Sequence, residues 1–226
     1  MKILISDFDG TFFDKNYLEN IDKVNKFVDQ GNVFIIATGR NINNLKVDIG
    51  DYNIKYSYLI CSDGASIYDN KNNNLFVCNI DRELINPICE LLDNDPNIFL
   101  TFIENDNIVS GTHANSIAGK FVDKEKCKEL VETVNKKFPL VNAYLSEFHI
   151  NIRSKQVSKY EAIKFLISNY NLESINIYTI GDDINDIEMC KHFNSFSFYS
   201  ADDNIKGVSK KIVNDFGEAI DILENI

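Results

Sequence analysis

The sequence has no excess of basic residues. Its 226 residues include 34 Asp and Glu against 23 Lys and Arg, which gives a formal net charge of −11 at pH 7. Surfaces that wrap nucleic acid or bind anionic lipid need the opposite balance, so we expect neither partner. An anionic substrate would need a local positive site, supplied by a metal ion, a few basic side chains or helix N-termini.

Long apolar runs and paired cysteine motifs are also missing. No 18 apolar residues follow one another, so no transmembrane helix is predicted. The first residues contain one apolar triplet and then acids, from which we expect no signal peptide. The five cysteines form no C-x-x-C pair, and we interpret them as reduced core residues of a cytoplasmic protein. Coiled-coil heptads are absent too, so no oligomeric state is predicted.

Three short apolar runs, at 3–6, 33–37 and 175–180, each end abruptly in polar or small residues. Continuous runs of this kind suit strands of a parallel sheet that is covered on both faces. Between them, residues 21–28 and 162–167 carry apolar side chains at helical spacing. This alternation predicts an open, mostly parallel α/β sheet, and such sheets bind ligands at the carboxyl ends of their strands.

The middle of the chain shows a different pattern. Strand-like runs at 97–103, 107–110, 140–145 and 148–152 accompany a helical stretch from Lys124 to Phe138. Strands that follow one another through short turns predict an antiparallel α+β unit.

We therefore predict two domains. The first comprises residues 1–77 and 153–226, and the second is inserted between them at 78–152. The Asn-rich stretch at 69–74 is predicted to form a hairpin turn just before the insertion. All three apolar runs of the first domain end in potentially reactive residues.

Asp7 and Asp9 follow the first apolar run. An extended backbone would point both side chains the same way, and Gly10 then permits a sharp turn. Two such carboxylates would hold a hard cation, or divide the roles of nucleophile and acid/base. The competing interpretation is a surface turn capped by Asp side chains. A calcium-binding EF-hand is excluded, because its sixth and twelfth positions would be Phe12 and Leu18.

Two further segments suit an anion. Thr38, Gly39 and Arg40 follow the second run and open a predicted helix, where a hydroxyl and backbone N–H groups favour phosphate. Thr-Gly in this position also serves as a plain helix cap. Lys159 begins another predicted helix, where its charge opposes the helix dipole, although most lysines simply lie on the surface.

The third run ends in a cluster of acids and an amide: Asp182, Asp183, Asn185 and Asp186. Without a cation these acids would repel one another, and a bound Mg²⁺ would relieve the repulsion. The alternative is a polar helix N-terminus at which acids stabilise the dipole.

Together these segments resemble the haloacid dehalogenase (HAD) superfamily of phosphatases, and more narrowly its Cof-type (class IIB) members, over nearly the whole chain. The resemblance implies a Rossmann-like core with a small inserted α+β cap of the C2 type that selects the substrate. The chain departs from the family in three ways. Ser62-Asp63-Gly64-Ala65 stands where relatives often carry Asn-Gly-Ala, Tyr160 stands where Gly commonly follows the lysine, and the short chain implies a reduced cap.

The resemblance also implies roles for individual residues. Asp7 is the nucleophile, Asp9 is the general acid and then the general base, and Lys159 supplies countercharge. Mg²⁺ is the implied cofactor, and its ligands are Asp7, the backbone carbonyl of Asp9, Asp182, and Asp186 directly or through water. The implied substrate-binding residues are Phe8 and Gly39 through their amides, Thr38, Asn185, and Arg40, for which a structural ion pair is an equal alternative.

The predicted function is Mg²⁺-dependent hydrolysis of a small phosphate monoester, such as a sugar phosphate, through an aspartyl-phosphate. A phosphomutase acting on a hexose phosphate would carry the same motifs. A non-catalytic phosphosugar-binding protein is a third hypothesis, which the retention of every motif acid disfavours. His113, His149 and His192 lack metal-ligand spacing and are predicted to be core or surface residues, although His113 or Asn115 would be able to face substrate from the cap.

Overall fold

The computed structural model of the protein describes most of the chain, in three stretches: residues 1–105, 113–146 and 149–226. The strand predicted at 107–110, and residue 148 of the strand predicted at 148–152, lie outside the described residues. Two compact units are formed, one from residues 1–75 and 158–226 and the other from 76–157.

The strands of the two units are, in chain order, β1 (Ile3–Ser6), β2 (Val33–Ala37), β3 (Tyr58–Cys61), β4 (Ser66–Asp69), β5 (Asn74–Val77), β6 (Ile98–Glu104), β7 (Ser116–Phe121), β8 (Val141–Leu145), β9 (His149–Ser154), β10 (Ile177–Ile180), β11 (Asn194–Phe198) and β12 (Lys211–Val213). The α-helices are α1 (Tyr17–Asp29), α2 (Ile42–Ile49), α3 (Arg82–Asp93), α4 (Lys128–Lys137), α5 (Lys159–Tyr170), α6 (Ile187–His192), α7 (Asp203–Val208) and α8 (Phe216–Glu224).

The first unit is built on an eight-stranded sheet in the order β12-β11-β10-β1-β2-β3-β4-β5. Every pair from β12 to β3 is parallel, and β4 runs antiparallel to β3. All four residues of β1 are buried, as expected for a strand covered on both faces. The predicted, mostly parallel α/β sheet is thereby confirmed.

Local sequence explains most of these elements. Helix α1 buries Tyr17, Ile21, Val24 and Phe27 on one face, which matches the predicted apolar spacing. The Asn-rich stretch forms the turn between β4 and β5, where the backbone N–H of Asp69 donates to the carbonyl of Asn73.

The third predicted strand begins two residues later than expected. Residues Ser174–Asn176 form one turn of 3₁₀ helix, and β10 starts at Ile177. Ile175 is exposed, so its apolar character does not reflect burial in the sheet. The apolar run therefore extends beyond the strand, and it predicted the start of the strand two residues too early.

The second unit is a four-stranded antiparallel sheet in the order β6-β7-β9-β8, packed with α3 and α4 around its own apolar core. The predicted helix at 124–138 consists of a 3₁₀ turn at Glu125–Cys127 followed by α4. Strand β7 was not predicted. Its Gly119 packs so closely against Ile98 and Ile150 that an added Cβ would lie 3.2 and 3.0 Å from their side chains, a contact that strand propensity does not reveal.

All five cysteines are free. Cys61, Cys127 and Cys190 are buried, as predicted for core residues, whereas Cys78 and Cys89 are only partly buried. Within the described stretches, no helix has the length and apolar character needed to cross a bilayer.

Candidate active site

Four neighbouring parallel strands end at one edge of the first unit's sheet. The register aligns Ser6 of β1 with Ile180 of β10 on one side and Ile36 of β2 on the other. Strand β3 lies beside β2, with Ile60 opposite Ala37. The residues that follow these strands are therefore brought together, although they are far apart in sequence.

Lys159 is the central cation of this edge. Its Nζ donates hydrogen bonds of 2.6 Å to Oδ1 of Asp7 and to Oδ1 of Asp186. The Lys159 side chain is fully buried, so the alternative of a surface lysine does not apply. Ser158 caps α5 by accepting from the N–H of Glu161, which fixes the backbone just before the lysine.

Asp186 is held by the chain around it. Its Oδ2 accepts from the backbone N–H groups of Asp182 and Asp183, at 3.1 and 3.3 Å. A Cβ at Gly181 would lie 2.5 Å from Cγ of Asp186, so the close approach requires glycine. Asp183 instead caps the following 3₁₀ turn by accepting from Ile184 N–H, as the helix-terminus alternative envisaged.

Asp7, Asp182 and Asp186 each offer a carboxylate oxygen, and these oxygens lie within 4.8 Å of one another. Thr11 Oγ1 donates to Asp182 Oδ1 at 2.6 Å. Gly10, at φ +78°, leaves room for Asp182, whose Oδ2 would lie only 2.7 Å from an added Cβ. An all-oxygen, largely buried donor set of this kind fits a hard divalent cation such as Mg²⁺.

The electrostatics of the cluster favour such a cation. Burial raises the pKa of Asp7 well above its ordinary value, although Lys159 opposes the shift. Burial likewise raises the pKa of Asp182 to about 6 and that of Asp186 above its usual range. Burial alone would lower the pKa of Lys159, but Asp186 and Asp7 raise it well above its ordinary value. Two buried carboxylates and the partly buried Asp182 thus surround one ammonium, which contacts Asp7 and Asp186, and a divalent cation would offset the excess negative charge.

The end of β2 forms a second part of the site. Thr38 is buried, its Oγ1 accepts from the N–H of Arg40 at 3.1 Å, and its carbonyl accepts from the N–H of Asp63. Asn185 donates from Nδ2 to Asp63 Oδ1 at 2.8 Å. If an added Cβ stood on Gly39, it would lie 3.5 Å from the same carboxylate. Thr38, Gly39 and Asn185 are therefore brought together around Asp63.

Asp63 is a site residue that the sequence reasoning did not assign. It is buried, and its charge contributes to the raised pKa of Lys159. Ser62 and Asp63 both adopt left-handed backbone conformations, with φ of 48° and 54°, which is a strained arrangement for two successive non-glycine residues. The available signal was the short apolar run of β3 followed by Ser-Asp-Gly, in the same format as the other strand ends.

Arg40 lies in an ion-pair network, one of its two expected roles. Its Nε and Nη2 donate to Oδ2 and Oδ1 of Asp9 at 2.8 and 2.5 Å, and its Nη1 donates to Asp48. The guanidinium also lies over the rings of Phe8 and Phe13, 5.1 and 5.5 Å from their centroids. The carboxylate of Asp9 is half exposed and paired with Arg40.

The remaining candidates are three histidines and Asn115. His113 is exposed and His149 packs beside Phe102, both in the second unit. Asn115 is buried in the same unit and donates to Asn79. His192 belongs to α6, where its exposed ring stacks on Tyr160. These positions agree with core or surface roles for the histidines.

Comparison with known proteins places the chain in one family. Residues 4–117 and 93–218 match the model of a family described as haloacid dehalogenase-like hydrolases. An uncharacterized protein of Mycoplasma capricolum is 27% identical, over 96% of this chain and 98% of its own length. A Buchnera aphidicola protein named "putative phosphatase" is 28% identical, over 83% of this chain and 82% of its own.

Solved structures share the fold. A haloacid dehalogenase-like hydrolase from B. subtilis superposes with a TM-score of 0.83 at 17% identity, covering 100% of both chains. A protein described as a HAD subclass IIB sugar phosphatase superposes with a TM-score of 0.81 at 16% identity, again over 100% of both chains. At this level of identity the similarity establishes the architecture.

Proposed function

Because the chain belongs to the haloacid dehalogenase-like hydrolase family, we propose that it is a Mg²⁺-dependent phosphatase that uses Asp7 as its nucleophile. The observation that carries the proposal is the buried cluster of Asp7, Lys159, Asp182 and Asp186 at the end of the central strand β1. A carboxylate nucleophile needs countercharge, and here the countercharge contacts it directly.

Asp7, Asp182 and Asp186, together with the backbone carbonyl of Asp9, would hold Mg²⁺, which when bound supplies positive charge against the phosphoryl oxygens. Lys159 orients the Asp7 carboxylate through its bond to Oδ1. It also keeps a positive charge at the position where the anionic phosphate must approach.

In the proposed first step a carboxylate oxygen of Asp7 attacks phosphorus and the bond to the leaving oxygen breaks. Asp9 gives its proton to that oxygen. In the second step Asp9 takes a proton from water as the water oxygen attacks the phospho-aspartate, which releases phosphate and regenerates Asp7. Thr38, the Phe8 and Gly39 amides, and Asn185 would hold the phosphoryl oxygens.

We propose small phosphate monoesters, and sugar phosphates in particular, as the substrate class. The name of the Buchnera relative and the description of the subclass IIB sugar phosphatase support this choice. We further propose that the inserted α+β unit serves as the cap that selects among such esters. The cytoplasmic location stays a prediction.

The test is release of phosphate from p-nitrophenyl phosphate with Mg²⁺ or with excess EDTA, in wild type and in Asp7→Asn. We expect activity only in wild type with Mg²⁺. Asp183→Asn is the matched control, because Asp183 lies in the same acidic segment but caps a turn, a role that Asn also fills. Undiminished activity in Asp7→Asn or in EDTA would contradict the mechanism. Isomerised hexose phosphate without free phosphate would instead identify a phosphomutase.

A further inference from the structure

We propose that Arg40 is a positioning residue for Asp9, holding its carboxylate in a fixed orientation for proton transfer rather than binding the phosphate itself. The inference rests on the proposed function, since it assumes that Asp9 transfers protons. It concerns a side chain for which the sequence left phosphate binding and a structural ion pair as equal alternatives.

The contact between Arg40 and Asp9 is a two-point fork. Nε reaches Oδ2 at 2.8 Å and Nη2 reaches Oδ1 at 2.5 Å. Two roughly parallel bonds fix the plane of a carboxylate as well as its position. A single ammonium would supply the charge without that constraint.

Arg40 is itself held from the other side. Asp48 of α2 accepts from Nη1. The rings of Phe8 and Phe13 stack on each other at 5.0 Å, with planes 8° apart, and both lie beneath the guanidinium. The guanidinium is therefore fixed in place, and it can hold the Asp9 carboxylate in one position.

Asp9 needs such support because of where it lies. Its side chain is 50% exposed, and the residue precedes the left-handed turn at Gly10. A half-exposed carboxylate samples several rotamers unless a partner restrains it. Misplacement of an acid by about 1 Å lowers the rate substantially, since proton transfer requires hydrogen-bond distance.

The proton balance does not involve Arg40, whose guanidinium stays protonated throughout. Asp9 enters the first step as the acid, loses its proton to the leaving oxygen as the P–O bond breaks, and becomes a carboxylate paired with Arg40. It recovers a proton from water in the second step. Arg40 therefore acts through Asp9, and its removal should matter most where the leaving group needs a proton.

The experiment uses two substrates of similar shape, p-nitrophenyl phosphate and phenyl phosphate. The p-nitrophenolate leaves as a stable anion, whereas phenolate depends more on the acid. We expect Arg40→Ala to increase the ratio of their kcat/KM values, p-nitrophenyl over phenyl, by roughly tenfold, approaching the ratio of Asp9→Asn. Arg40→Lys should fall between, because it keeps the charge without the fork.

Lys55→Ala is the matched control, since it removes a surface ion pair with Asp29 in the same unit and should leave the ratio unchanged. Equal losses on both substrates in Arg40→Ala and Arg40→Lys would overturn the proposal in favour of a structural or phosphate-binding role. An unchanged ratio, or faster turnover of phenyl phosphate, would overturn it as well. Failure of the proposed function is distinguishable. In that case either Asp7→Asn would still hydrolyse both substrates, or the wild type would hydrolyse neither of them.

Discussion

Replacing Lys159 with methionine tests whether one buried ammonium stabilises the acidic cluster. The substitution keeps an unbranched side chain of similar length but removes the charge. Asp7 and Asp186, with side chains 8% and 0% exposed, would each lose a 2.6 Å bond. Two carboxylates would then be buried without the cation that both contact.

The expected loss is large. Breaking a buried ion pair by removing one partner costs about 3–5 kcal/mol, because an uncompensated charge stays buried. That range corresponds to a roughly 10²- to 10⁴-fold shift of the unfolding equilibrium. Chemical denaturation in EDTA would measure it. Excess Mg²⁺ should restore part of the stability, since the same oxygens fit a divalent cation.

Two variants check the reasoning. Lys164→Met removes an exposed lysine of the same helix, paired with Glu161, and should cost less than about 1 kcal/mol. Adding Asp186→Asn to Lys159→Met should recover stability, because it removes one of the unpaired charges. A Lys159→Met protein as stable as Lys164→Met would refute the claim that this lysine compensates the buried acids.

Three further predictions concern the same edge of the sheet. Gly181→Ala forces a methyl group against the carboxylate of Asp186, so thermal unfolding should show a loss of about 1–3 kcal/mol. Gly207→Ala, with nothing within 4 Å, should show no loss. Burial raises the folded pKa of Asp182 from 3.8 to about 6, so in EDTA the stability relative to Asp182→Asn should fall as pH rises from about 4 to about 6, by at most about 3 kcal/mol, and should level off above that. A difference in stability that is unchanged between about pH 4 and pH 7 would contradict this. Asp63→Asn removes a negative charge beside the proposed phosphate site, so calorimetry should show roughly three- to tenfold tighter binding of inorganic phosphate, and weaker binding would argue against it.

Much of the first unit follows from its apolar runs. Strand β1 and strand β2 match the runs that predicted them, because fully buried parallel strands leave a continuous apolar signature. Strand β3, Tyr58–Cys61, gave a weaker signal, since Leu59 and Ile60 are its two aliphatic residues. The position of Asp63 depends on two left-handed residues, and this conformation is not readable from residue type.

The role of Arg40 could not be decided from sequence for a related reason. Asp48 lies eight residues after Arg40, in helix α2, and Asp9 lies 31 residues before it. Whether the guanidinium meets these acids or a ligand depends on how the loops after β1 and β2 approach each other. Residue types fix the charges available, whereas tertiary packing decides which of them are paired.

The order of the sheet has a consequence for biosynthesis. On one side β1 pairs with β2, which is made soon after it, but on the other side it pairs with β10, whose first residue is Ile177. A nascent chain therefore carries β1 with one open edge while the whole inserted unit is translated. Until Lys159 and Asp186 emerge, the carboxylate of Asp7 has neither of its buried partners. The growing chain is consequently prone to edge-to-edge association at β1, and chaperones or rapid pairing of β10 would have to protect it.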